Sequence, residues 1–361
     1  MINIFIFFLL FLISSPSYSY NISYKKYAEI HKQEHAVLII AYNRPEYFIR
    51  CIESVEKNKE AAEIPFIFAL DGGSYATQKE NLALIKKAKL KHKIIVVRDR
   101  NYGCPKNHID AYRFAFDWCG FKKIIVIQED VLVSPTYISF MFNLHNWATK
   151  NYKNIGAVQA WSYCFLSPEE KEKQKNLVAE NNLHWSFVTF CMGSAAWNSI
   201  KPYIYRYESF IDQIPVTDIY QKARSKPDLW EGADAIKNWM TNSIHTKKNR
   251  LETGTHIVES IYKHAFKNSF LSICLPYEDV VMGLSFYLKD LVKLRTIVNR
   301  AVHIGRQGIS ALSAFEMDIL EDTLKLDTLE HDDLIKEFSL IQELHFASPV
   351  HKMAFDINNR D

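Results

Sequence analysis

No Cys-x-x-Cys pair occurs among Cys51, Cys104, Cys119, Cys164, Cys191 and Cys274, which argues against a structural zinc site. The even count permits disulfides in an exported chain, but the spacing specifies no pairing, and buried free thiols fit it as well. No GxxxxGK(S/T) stretch is present, which excludes a P-loop ATPase, and no GxGxxG follows the first strand, which disfavours a dinucleotide oxidoreductase. Long basic runs are missing too. With a formal net charge of +3, nucleic acid is not indicated as a partner. No internal repeat or low-complexity linker divides the 361 residues, of which 48% are hydrophobic and 24% charged; this suits one large globular unit or two small ones.

What the chain does have is strand and helix in alternation. AVLIIAY (36–42) reads as a strand and residues 45–57 as a helix; IPFIFAL (64–70) is a second strand, followed by a Lys-rich amphipathic helix over 77–90. KIIVVRD (93–99) is a third strand, residues 107–118 a helix, and IIVI (124–127) a fourth strand, apolar on both faces. This order predicts an α/β fold with a doubly wound, mostly parallel sheet. Beyond residue 147 the pattern loosens. GAVQ lies in a strand over 155–163, and residues 168–180 form a charged, helix-prone insertion. Residues 203–255 read as irregular, 278–291 as a helix, 296–304 as a strand, and 314 onward as an acidic, Leu-rich helical tail. The N-terminal run 4–13 is too short to span a bilayer by itself and is followed by small residues, as in a signal peptide or an uncleaved signal-anchor; Asn21-Ile22-Ser23 is a glycosylation sequon.

Several strand ends carry chemistry. The fourth strand stops at Gln128-Glu129-Asp130, where open α/β sheets place their ligands, and two carboxylates there are costly without a cation. An N-cap acid with an exposed neighbour is the plainer account of that triplet. Arg44, after the first strand, has the planar fork that matches a diphosphate, or is a surface arginine. Asp71, before Gly72 and Gly73, could accept from a base N–H or a ribose hydroxyl, or simply form a turn. Lys106 lies in the NYGCPKNH loop before a helix and suits phosphate. Glu278-Asp279 opens a helix, where acids cap; as chemistry, Asp279 would be a general base. NRAVHIGRQGIS adds His303 and Arg306 in a glycine-bearing loop. Aromatic residues, at 14%, suit flat ligands such as bases and sugar rings. Trp161, Trp185 and Trp197 are candidates to stack on sugars, with core packing expected for at least two of them.

In this order the motifs resemble GT-A glycosyltransferases, in particular the N-acetylglucosaminyltransferase I type and related bacterial family-2-like enzymes, over residues 36–310. The resemblance implies a nucleotide-sugar half (36–148), an acceptor half (149–310), a uridine-type nucleotide-sugar donor, a glycan or glycoprotein acceptor, and Mn2+ or Mg2+. It implies Asp130 and His303 as metal residues, Arg44, Asp71 and Glu129 at the nucleotide sugar, and Asp279 as base; Lys106, Gln128 and Arg306 join the expected nucleotide-sugar residues, and if the base lies elsewhere Asp212, Asp218 and Asp234 in the irregular region are next to be tested. Gln128 departs from the family by replacing the first acid of the triplet, which removes one charge near the donor. A sugar nucleotidyltransferase and a non-catalytic carbohydrate-binding module of the same fold are the rival readings. The N-terminal segment leads us to expect the secretory pathway or secretion, with membrane association if the segment is retained.

Overall fold

A computed structural model describes residues 32–161, 166–180, 187–212, 278–305 and 335–341. β1 (His35–Ala41) pairs in parallel with β2 (Pro65–Leu70) on one side and β4 (Lys123–Gln128) on the other, with β3 (His92–Val97) outside β2. Beyond β4 the direction changes. β8 (Thr189–Gly193) runs antiparallel to both β4 and β6 (Ile155–Gln159). β9 (Val292–Thr296) is parallel to β6, β7 (Leu177–Glu180) antiparallel to β9, and β11 (Ser339–Ile341) parallel to β7 at the edge. The nine-stranded order is β11-β7-β9-β6-β8-β4-β1-β2-β3. A mostly parallel α/β sheet is therefore present, as the strand and helix alternation implied.

The period of two along β1 builds two cores. Ala36, Leu38 and Ile40 face α3 (Cys104–Arg113), α6 (Ser194–Ile211) and α7 (Glu278–Leu288) through Tyr112, Trp197, Ile204 and Phe286. Val37, Ile39 and Ala41 face α1 (Pro45–Glu56), α2 (Tyr75–Lys87) and α4 (Tyr137–Asn151) through Phe48, Val55, Ile85 and Met141. Each such fully buried aliphatic or aromatic side chain contributes about 1.5–3 kcal/mol relative to exposure, before conformational entropy is counted. Helices on both faces make the sheet doubly wound. Among the described residues no helix is long and apolar enough to cross a membrane. Cys51, Cys119 and Cys191 are buried free thiols and Cys104 an exposed one, while Cys164 and Cys274 lie outside the described residues.

Three elements differ from the sequence reading. The expected strand over 296–304 is two strands: β9 ends at Thr296, and the chain turns before β10 (Ala301–His303) pairs antiparallel with β5 (Val131–Val133). Arg300 holds that corner, fully buried, donating to the carbonyls of Val298 (2.8 Å) and Lys175 (2.6 Å) with its guanidinium 3.7 Å from the Phe140 ring centroid. The charged insertion is a short helix, α5 (Pro168–Gln174), opened by a Ser167–Glu170 capping box, and then β7, an element the charge pattern obscured. From the stretch read as a helical tail, the structure takes β11 as an edge strand.

Candidate active site

β4 delivers Glu129 and Asp130 to the end of the sheet, each at most 3% exposed. Burial raises the Glu129 pKa, against the lowering effects of Arg44 and of the Tyr42 N–H, which donates to Oε2 at 2.6 Å. Arg44 bridges the pair, with Nε 2.7 Å from Glu129 Oε1 and Nη1 2.8 Å from Asp130 Oδ2. Burial would raise Asp130 as well, but the hydrogen bond from His303 and the charges of His303 and Arg44 outweigh it and hold Asp130 below the ordinary carboxylate value. His303 arrives through the β5–β10 ladder, which sets it opposite Val131 and its Nε2 3.0 Å from Asp130 Oδ2; the Ile304 N–H closes the turn on the Asp130 carbonyl at 2.7 Å. A side chain at position 305 would put its Cβ 2.5 Å from Asp130 Oδ2, so glycine is required there by close approach.

Whether these residues suit a divalent cation can be judged from their atoms. Asp130 Oδ1 is buried and accepts no hydrogen bond, and the Asp130 carboxylate with the His303 imidazole is an oxygen and nitrogen set that suits Mn2+ or Mg2+. They fit.

Other expected donor contacts are placed differently. Both oxygens of Asp71 are engaged: Gly72 and Tyr102 N–H donate to Oδ1 at 2.8 Å each, and Gly103 N–H to Oδ2 at 3.0 Å. Of the roughly four acceptor directions of a carboxylate, one is left for a ligand, so Asp71 serves first to pin the 101–103 loop. That loop starts α3 at Cys104, three residues earlier than expected, because Gly103 adopts φ 79° and Pro105 sits in the first turn. Lys106 does not stand open to a phosphate: it ion-pairs with Asp212 at the end of α6, and its Nζ lies 5.3 Å from the Tyr102 ring centroid. Gln128 ends β4, half-buried, its carbonyl facing Cys51 Sγ at 3.6 Å. Arg306, Asp218, Asp234 and Trp185 lie outside the described residues. Trp197 is not a sugar platform. It is fully buried, stacked at 5.7 Å on Phe116, with Nε1 donating to Asp117 at 3.1 Å; Trp161 is also buried.

The second set of acids starts α7. Desolvation raises Glu278 to about 7 and, with Glu278 beside it, Asp279 to about 7. Asp279 Oδ2 accepts the Phe187 N–H at 3.3 Å, and its buried Oδ1 has no hydrogen-bond partner. Charged groups that bear on Asp279 are His108 from α3 and the fully buried Lys293 from β9, whose own pKa burial lowers to about 7. Cys104 joins the two halves. Although the residue is exposed, its Sγ lies 3.8 Å from both carboxylate oxygens of Glu278. Cys104 Sγ, His108 Nδ1 and a Glu278 carboxylate oxygen lie within 4.8 Å of one another. They are nevertheless a poor ligand set, because Nδ1 is 2.7 Å from the Cys104 carbonyl and must carry the proton it donates. Sequence reasoning missed Cys104, His108 and Lys293. Only Lys293 left a trace, a cation alternating with apolar residues in VKLRT.

Residues 36–207 match the family described as Glycosyl transferase family 2. That stretch carries the Arg44 turn and the Glu129–Asp130 tip. A search of curated proteins finds no match. Among solved structures, the chain is similar to an active-site mutant of LgtC at 14% identity, TM-score 0.30, covering 50% of this chain and 65% of LgtC, just under two thirds of it. It is also similar to the mannosyltransferase PcManGT from Pyrobaculum calidifontis, solved with GDP-Man and Mn2+, at 9% identity and TM-score 0.34, covering 70% and 87% of the two chains. S. aureus TarS aligns at 13% identity and TM-score 0.36, over 66% of this chain and 43% of that one.

Proposed function

We propose that the protein is a metal-dependent, inverting glycosyltransferase that moves a hexose or N-acetylhexosamine, N-acetylglucosamine among the candidates, from a uridine-type nucleotide sugar to a hydroxyl of a glycan or glycoprotein. The observation that carries this reading is the pairing of two unlike acids: Asp130, held ionised beside His303 with an unpartnered oxygen, and Asp279, raised to about 7 with an unpartnered oxygen of its own. Asp130 and His303 would hold Mn2+ or Mg2+. When bound, the cation neutralises charge developing on the diphosphate leaving group. Asp279 takes the proton of the acceptor hydroxyl while that oxygen bonds to the anomeric carbon and the bond to the diphosphate breaks, and a carboxylate near pKa 7 is matched to that task. The Phe187 amide orients the Asp279 carboxylate without protonating it.

The apolar N-terminal run extends the proposal to the lumen of the secretory pathway or the exterior, where luminal donor supply or a target cell would provide the nucleotide sugar. The test of function is a panel of UDP- and GDP-sugars incubated with the protein, with Mn2+ or with chelator, scored for donor hydrolysis and for transfer. Metal-dependent cleavage of one donor is expected. Donor binding with no cleavage under any condition would instead indicate a carbohydrate-binding module.

A further inference from the structure

We infer that Arg44 is a resident cation of the donor site, one that competes with the divalent metal for Asp130 and is drawn off by the donor's diphosphate, so that metal and nucleotide each promote binding of the other. The inference rests on the assignment of Asp130 and His303 to the metal. Its basis is how one guanidinium is shared. Nε lies 2.7 Å from Glu129 Oε1, and Nη1 lies 2.8 Å from the same Asp130 oxygen that His303 approaches at 3.0 Å. A divalent ion on Asp130 would stand within a few ångströms of that guanidinium, and like charges at such distances in a half-buried site repel by several times thermal energy. One of them has to give way.

Arg44 is the group built to move. Its side chain is 28% exposed where its two acids are 3% and 2% exposed. It sits at the turn before α1, and its guanidinium already lies 5.5 Å from the Tyr47 ring centroid, a second favourable surface. The acids cannot follow it. Glu129 is held by the Tyr42 amide, and Asp130 by the Ile304 turn and the close approach of Gly305. A diphosphate offers the planar fork a better-matched anion than two separate carboxylates, and its arrival would free Asp130. Because coupling between two ligands is reciprocal, metal would tighten nucleotide binding by the same factor.

Mn2+ binding, read from the electron paramagnetic resonance signal of the free ion with and without UDP, tests this on wild type, Arg44→Gln, Arg44→Lys and Asp130→Asn. Wild type should bind Mn2+ about tenfold more tightly with UDP present, a typical coupling between two sites. Without UDP, Arg44→Gln should bind Mn2+ more tightly than wild type does, and UDP should add less to it than to wild type, since only the direct attraction between metal and diphosphate remains. Arg44→Lys keeps the charge and should stay near wild type without nucleotide; Mn2+ affinity there equal to that of Arg44→Gln would overturn the competition. Unchanged or weaker Mn2+ binding in Arg44→Gln, with binding lost in Asp130→Asn, would overturn the role of Arg44 and leave the metal assignment standing. Wild-type Mn2+ affinity in Asp130→Asn would overturn both. If melting curves show Arg44→Gln unfolded, wild type and Arg44→Lys decide, since a wild-type Mn2+ affinity indifferent to UDP is itself a refutation.

Discussion

Glu-Asp-Val occurs at residues 129–131 and again at 278–280, and the two copies behave as different chemical groups. The first ends a buried strand and is met by cations: Arg44 spans both acids and His303 reaches the second, so Asp130 stays ionised in spite of its burial. The second opens α7; desolvation raises both acids to about 7, and His108, the Phe187 N–H and the buried Lys293 pull Asp279 down only in part. One dipeptide therefore supplies a standing anion and the other a proton acceptor near neutral pH. The difference lies in what each is packed against, since the residues themselves are the same.

Removing the standing anion should have the largest effect. Asp130→Asn is expected to abolish Mn2+-dependent donor affinity while the fold persists, measured by calorimetry with Mn2+ and with chelator. Retained metal dependence would place the cation elsewhere and erase the contrast. Removing the acceptor comes next: Asp279→Asn should lower single-turnover rate by about 10²- to 10⁴-fold with donor affinity near wild type. Because Asn caps a helix as well as Asp, a merely capping Asp279 predicts near-normal turnover in the same experiment.

A smaller effect should come from geometry at the first site. In Gly305→Ala the new Cβ would meet Asp130 Oδ2 at 2.5 Å and His303 at about the limit of contact, so the pair must shift. We expect roughly tenfold weaker Mn2+ binding and a loss of about 1–3 kcal/mol in stability, as overpacking typically costs. Wild-type metal affinity would show that the Asp130–His303 pair is not held by close approach.

The smallest effect sharpens the contrast in proton affinity. Glu278 helps to raise Asp279, so Glu278→Gln should move the midpoint of the pH–rate profile below about 7. Its stability signature has a definite sign. Folded-state pKa values of about 7 lie above the ordinary 4.5 of Glu and 3.8 of Asp, so stability from the protonated pair is present below those ordinary values and is lost as pH rises toward 7. Lys293 runs the opposite way: its pKa is lowered from 10.5 to about 7, so its contribution is present above the ordinary value and lost as pH falls toward 7. Melting temperature followed from pH 4 to 8 should fall less steeply in Glu278→Gln than in wild type. Parallel curves would mean that Glu278 is not buried as an acid.

Local pattern in the sequence determined a good part of this protein. The unbroken apolar runs AVLIIA and IIVI are enough to specify strands buried on both faces, since period two sends successive residues to opposite faces of a sheet. The acids at the strand tip, the Arg44 turn and the Glu278–Asp279 helix start were legible because chain direction alone puts them at element ends. Partners were not legible. That Arg44 bridges Glu129 and Asp130, that Asp71 is occupied by three amides, and that Lys106 pairs with Asp212 depend on segments up to about a hundred residues apart, which only the fold brings together. His303 reaches Asp130 only because Arg300, buried against Phe140, turns the chain into the short β5–β10 ladder. Tertiary structure decided the protonation of the two Glu-Asp pairs, because a pKa is set by the charges and the solvent around a group, and neither is written next to it in the chain.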